Sequence, residues 1–215
     1  MTEAEWLTCT DPTPMLAFLK DKASDRKLRL FAVACMQRMS SSWFRPGAIE
    51  TVQTFVDLQS TSEELARFVD PWDYRGHEDS GWYRLFQPDH FSTDAAAEIA
   101  RAIAARAGDR AMTYDAFSAG RDAARRVQCC FLRDVVGPVP FRPVVLDPTA
   151  LTWNGSTVPK MAHMIYDDRA LDRMPILADA LEEAGCINAD ILDHCRQPGE
   201  HVRGCWVVDL LLGKE

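Results

Sequence analysis

Residues 113–143 read TYDAFSAGRDAARRVQCCFLRDVVGPVPFRP, and this stretch sets the fold. Phe117, Ala124, Val127, Phe131 and Val135 recur at helical spacing and give one apolar stripe, so a long helix is predicted from about Thr113 to Val136. Gly137-Pro-Val-Pro-Phe-Arg-Pro143 then ends it, because proline and the residue before it disfavour helix. The segment reads as extended and as the best boundary in the chain. It separates an N-terminal helical lobe, 1–136, from a smaller C-terminal helical lobe, 137–215, packed on it. Cys129 and Cys130 are neighbours in the long helix and point about 100° apart, so they make no two-cysteine metal clip. At least one reads as a small core residue.

Outward from this helix the pattern stays helical. Thr2-x-x-Glu5 is a capping box, Thr13-Pro14 an N-cap followed by proline at the first helical position, and Ser24 a third cap. Leu28, Phe31 and Cys35 fall on one face of the helix after Ser24. Arg45-Pro46-Gly47 breaks the pattern; Ile49 to Leu58 resumes it, and Thr61-x-x-Glu64 opens a short helix. A further helix runs from Thr93 to about Ala107. Beyond the boundary Val144 to Leu146 is extended, Asp147-Pro148 restarts helix, Asn154-Gly155 is a turn, and Thr157 caps the next segment. Leu171 to Glu183 ends at Gly185, Asn188 caps Ile191 and Leu192, and Val202 to Leu212 closes as a buried helix. The class is all-α: a compact multi-helix bundle with one long loop.

That loop is residues 70–92, DPWDYRGHEDSGWYRLFQPDHFS, which lacks a helical period and carries six aromatics. Long irregular loops in compact domains are often functional. Packing of the rings onto the body is the weightier reading, and a binding surface anchored by Trp72, Tyr74, Trp82 and Tyr83 is the functional one. Seven arginines against three aspartates between Arg101 and Arg133 run counter to a net charge of −8. A solvated helix face is the plain account. Arg121 and Arg125 are the candidates for an acidic protein partner or, less favoured, RNA, with Arg126 beside them. The overall acidity argues against non-specific binding to nucleic acid or anionic membrane.

The 215 residues are 47% hydrophobic, enough for a real core. The first residues, MTEAEW, carry early acids and no apolar run, and the longest apolar run, Leu30 to Met36, is far short of a membrane span. Seven cysteines without a secretion signal suggest free thiols in a reducing cytoplasm.

The densest chemistry is Cys186, His194, Cys195, His201 and Cys205. If the last helix begins by His201, His201 and Cys205 share a face at i, i+4 and reach one ion. Zinc suits such donors. There is no C-x-x-C pair and no standard zinc spacing, and cysteine is often buried without metal, so packing is the favoured account and zinc the alternative. No phosphate loop, G-x-S-x-G or H-E-x-x-H occurs. The acid pairs Asp167-Asp168 and Glu182-Glu183 read as surface charge.

The segments MTEAEWLTCTDPTPMLAFLKDKASDRKLRLFAVAC, FRPVVLDPTALTWNGSTV, IYDDRALDRMPILADALEEAGC and DILDHCRQPGEHVRGCWVVDLLLGKE resemble a paralogue-rich family of uncharacterised planctomycete proteins. The resemblance covers residues 1–40 and 131–215. Where that family has paired cysteines followed by basic residues, this chain has Cys35-Met36-Gln37-Arg38, a departure that weighs against the N-terminal cysteine as a ligand. Similar ends around a different middle imply a scaffold presenting a variable surface. The expected function is thus a non-enzymatic cytoplasmic interaction or adaptor module, as a subunit of a larger assembly or alone. Its alternatives are a small zinc-stabilised enzyme or regulator using residues 186–205, and an RNA-contacting subunit of a nucleoprotein complex.

Overall fold

The structure, a computed structural model, describes residues 1–38, 48–57, 92–108 and 113–214. Among these the regular elements are all helical: α1 (Glu3–Thr8), α2 (Pro12–Phe18), α3 (Asp25–Gln37), α4 (Ala48–Val56), α5 (Thr93–Gly108), α6 (Tyr114–Val136), α7 (Pro148–Asp167), α8 (Met174–Glu183), α9 (Ala189–Arg196) and α10 (Trp206–Leu212), with a 3₁₀ turn at Leu171–Arg173 before α8. The fold is all-α. The chain divides into two compact units, Met1–Arg133 and Asp134–Glu215.

In the first unit α3 packs against α4 and α5, and α5 also against α2. Every residue of α3 from Leu28 to Met36 is buried, so this helix is covered on all sides rather than along the one face that Leu28, Phe31 and Cys35 suggest. Its continuous apolar run from Leu30 explains the difference, since a helix apolar all round belongs inside. The capping box of Thr2 and Glu5 closes as the sequence predicts. The cap of α2 is Asp11, with Pro12 rather than Pro14 in the first turn's leading position. An aspartate two residues earlier offers a stronger acceptor, and it takes the amide of Thr13 at 2.9 Å. Arg133, on α6, donates to the carbonyls of Trp6 at 2.8 and 3.1 Å and of Cys9 at 2.6 Å. These carbonyls at the end of α1 have no helical partner, and a guanidinium satisfies them.

In the second unit α7 packs against α8 and α10, and α8 against α9. The core gathers Val158, Ile165, Met174, Leu177, Leu181, Ile191, Trp206 and Val207. The proline-rich opening is a turn first: Gly137 has φ +65°, and the carbonyl of Pro138 accepts the amides of Phe141 and Arg142. Chain without regular structure follows from Pro143 to Asp147, where Asp147 is extended and caps α7. Helix α7 is interrupted at Trp153–Ser156, where Asn154, Gly155 and Ser156 all have positive φ, the turn marked in sequence by Asn154-Gly155. After α8 the chain reverses at Gly185, φ +89°, with the amide of Cys186 on the carbonyl of Leu181. This is the Schellman arrangement.

Gly137 and Gly185 separate two demands on glycine. A Cβ on Gly185 would meet nothing within 4 Å, whereas one on Gly137 would lie 2.5–2.8 Å from the Trp206 ring. Gly185→Ala should lose about 1 kcal/mol from backbone strain alone. Gly137→Ala should lose about 3 kcal/mol, because overpacking adds to that strain. Urea melts of the two variants followed by tryptophan fluorescence check this; equal losses would show that the Trp206 contact relaxes freely.

Candidate metal centre

Asp134 lies on α6 three residues beyond Phe131, continuing the inward row Val127, Phe131. His194 sits in the last turn of α9, whose start is fixed by Asn188 accepting the amides of Asp190 and Ile191. The helix cannot continue through Pro198, so the chain turns there and returns with His201. A second turn at Gly204, φ +92°, closes with the amide of Cys205 on the carbonyl of Val202 at 3.0 Å. Cys205 is extended and is the N-cap residue of α10, its carbonyl accepting the amide of Asp209. The last helix therefore begins at Trp206, not by His201. His201 and Cys205 come together through a turn rather than along a helix face, because glycine at positive φ breaks the helical path before Cys205.

The four side chains converge. Asp134 Oδ1 lies 2.6 Å from His201 Nδ1 and 3.1 Å from His194 Nε2. The other carboxylate oxygen, Oδ2, accepts the amide of Val202 at 2.8 Å. Cys205 Sγ lies 3.2 Å from His194 Nε2 and 3.9 Å from His201 Nδ1. One donor atom from each residue falls within 4.8 Å of all the others. The His194 and His201 rings meet edge-on at 4.9 Å, and His194 lies 5.1 Å from the Trp206 ring. The group is enclosed: side-chain exposure is 3% for Asp134, 5% for His201 and 10% for His194, and Cys205 is fully buried.

Burial opposes a charge on Asp134, but hydrogen bonds from His194 and His201, with the attraction of those rings, outweigh it and hold the carboxyl below the usual carboxylate range. Burial, reinforced by the charge of Asp134, pushes the Cys205 thiol well above its ordinary value. A nucleophilic cysteine needs access and a lowered pKa, and this thiol has neither. His201 Nε2 is buried with no hydrogen-bond partner.

Of the five residues named in sequence, the structure brings His194, His201 and Cys205 together and adds Asp134. Cys186 and Cys195 lie outside this group, in the apolar core of the same unit. Burial lifts the Cys195 thiol to about 12. Asp134 was detectable as an acid on the buried stripe of α6, a position that an unpartnered carboxylate rarely occupies. Trp72, Tyr74, Trp82 and Tyr83 lie outside the described residues. Arg121 and Arg125 stand on α6 with their side chains partly exposed: Arg125 is 3.7 Å from Asp11 and 4.0 Å from Asp122, and Arg121 is 3.9 Å from Asp122.

Comparison with protein-family models, with curated proteins and with solved structures finds no match to this chain. No helix among the described residues is long and apolar enough to cross a membrane.

The carboxylate of Asp134 is the common acceptor of this group, so its removal leaves buried donors unpaired. In metal-free protein Asp134→Ala should destabilise by about 3 kcal/mol, and Asp134→Asn, which keeps one acceptor oxygen, by about half as much. Chemical denaturation after exhaustive chelation measures both. An alanine variant as stable as the parent would mean that water replaces the carboxylate without loss.

Proposed function

We propose that the second unit holds one zinc ion through Asp134, His194, His201 and Cys205, and that the chain acts as a metal-stabilised, non-catalytic module. The observation that carries this reading is the convergence of four donor atoms of different chemistry within 4.8 Å in an enclosed place. In tetrahedral zinc, nitrogen and oxygen donors stand about 3.3 Å apart and nitrogen and sulfur about 3.5 Å apart, from metal–ligand lengths of about 2.0 and 2.3 Å. The separations of 3.1 and 3.2 Å at His194 are near those values. The pairs at 2.6 and 3.9 Å need movements on the order of half an ångström.

Two imidazoles, one thiolate and one carboxylate suit zinc better than magnesium or calcium, which prefer oxygen alone. Four protein donors complete a tetrahedron, the mark of structural sites, whereas catalytic zinc keeps a position open. A small cavity beside Cys205, bordered by Tyr166, Leu171 and Val208, has room for about one water and none for a substrate. The ion also resolves a cost within the fold: a thiol that burial keeps protonated becomes a paired thiolate on coordination. The partner surface read in sequence on the aromatic loop stays compatible with this role and adds no weight to it.

Elemental mass spectrometry of untagged protein should find about one zinc per chain. Chelation should lower stability by about 3 kcal/mol, the value for a site filled at a hundredfold excess over Kd. His194→Ala and Cys205→Ser should lose the metal, while Cys186→Ala and Cys195→Ala keep the stoichiometry. Cobalt substitution should add a thiolate-to-cobalt absorption band that Cys205→Ser removes. Absence of both zinc and the cobalt band overturns the reading and leaves the four residues as a hydrogen-bonded cluster.

A further inference from the structure

We infer that Gln197 controls retention of the ion by fixing the ring of His194 from outside, an inference that rests on the zinc reading above. The Gln197 side-chain amide lies 3.2 Å from His194 Nδ1, the nitrogen that faces away from the other three donors. His194 is the most exposed of the four donors at 10%, so exchange of the ion with solvent passes this ring. Gln197 is itself exposed and sits three residues after His194, immediately past the end of α9. Pro198 confines it to extended backbone, observed at φ −59° and ψ 139°, which fixes the direction of its side chain.

The contacts without metal form one consistent set. His194 donates its Nε2–H toward Asp134, and the bare Nδ1 accepts an amide N–H from Gln197. Coordination through Nε2 moves the ring proton to Nδ1, which must then donate. Gln197 meets this by turning its amide half a revolution to present Oε1 at the same place. One side chain thus serves both ring forms. Metal-bound histidines commonly hand their other N–H to an outer acceptor, and that partner holds ring orientation and ligand basicity. His201 has no such partner, since its Nε2 is buried without one. Gln197 is therefore the outer support of the imidazole pair and acts as a positioning residue.

The experiment compares full-length wild type, Gln197→Met and Gln197→Glu for zinc affinity by competition with a chromophoric chelator and for the rate of zinc release. Methionine keeps length and loses both hydrogen-bonding ends; glutamate keeps the acceptor. Gln197→Met should bind zinc about 10- to 100-fold more weakly and release it faster, with unchanged metal-free melting. Gln197→Glu should match or exceed wild type, and cobalt spectra should shift in Gln197→Met alone. If Gln197→Met holds zinc as wild type does, the role of Gln197 is wrong and the site stands. Equal weakening in both variants also overturns it, because the turn rather than the hydrogen bond would be responsible. If wild type binds neither zinc nor cobalt, the site itself fails and this inference falls with it.

Discussion

A carboxylate taken out of water must be surrounded by donors, and Asp134 organises its surroundings accordingly. It accepts from the rings of His194 and His201 and from the backbone of Val202. Those donors come from a helix, a turn and the strand of chain leading into the last helix. Each was brought there by a local rule: an asparagine cap starts α9, proline ends it, and glycine at positive φ turns the chain before Cys205. The burial of one charge thus fixes how a segment without regular structure, from Gln197 to Cys205, lies within its unit.

The same segment positions α10. This helix is buried at Trp206, Val207, Val208, Asp209 and Leu211, and Trp206 sits so close to Gly137 that no side chain fits between them. Seven residues are too few for a helix to persist by itself in water. Its stability comes from this packing and from the turn that delivers it, so the polar cluster and the apolar core are mutually dependent.

Much of the helical architecture was legible in sequence because its signals are local. Thr2-x-x-Glu5, Asp147-Pro148, Asn188 and Gly185 each act over a few residues, and each appears in the structure in that role. What failed was also local. The apolar content from Val202 onward predicts helix there, whereas Gly204 at positive φ turns the chain and the helix starts only at Trp206. The candidate centre was half legible. His194, His201 and Cys205 lie close in sequence, and that clustering is visible without a structure. Asp134 is distant in sequence, and only its place on the buried stripe of α6 marks it. Cys186 and Cys195 share the clustering but point into the apolar core, a distinction that composition does not make.

A buried polar cluster is a poor way to stabilise a small helical unit. Well-packed apolar residues in place of a buried ionic group are often neutral or more stable, since desolvation of charges costs several kcal/mol per ion. Here a carboxylate, two imidazoles and a thiol occupy one enclosed place, one ring nitrogen has no partner, and burial holds the thiol protonated. As a hydrogen-bonded core this arrangement is costly and incompletely satisfied. As a coordination sphere the carboxylate, His194 Nε2, His201 Nδ1 and the thiolate all share one cation, and the charges become mutually compensating; His201 Nε2 alone stays without a partner. The disadvantage without metal and the fit with it are two sides of one argument for zinc.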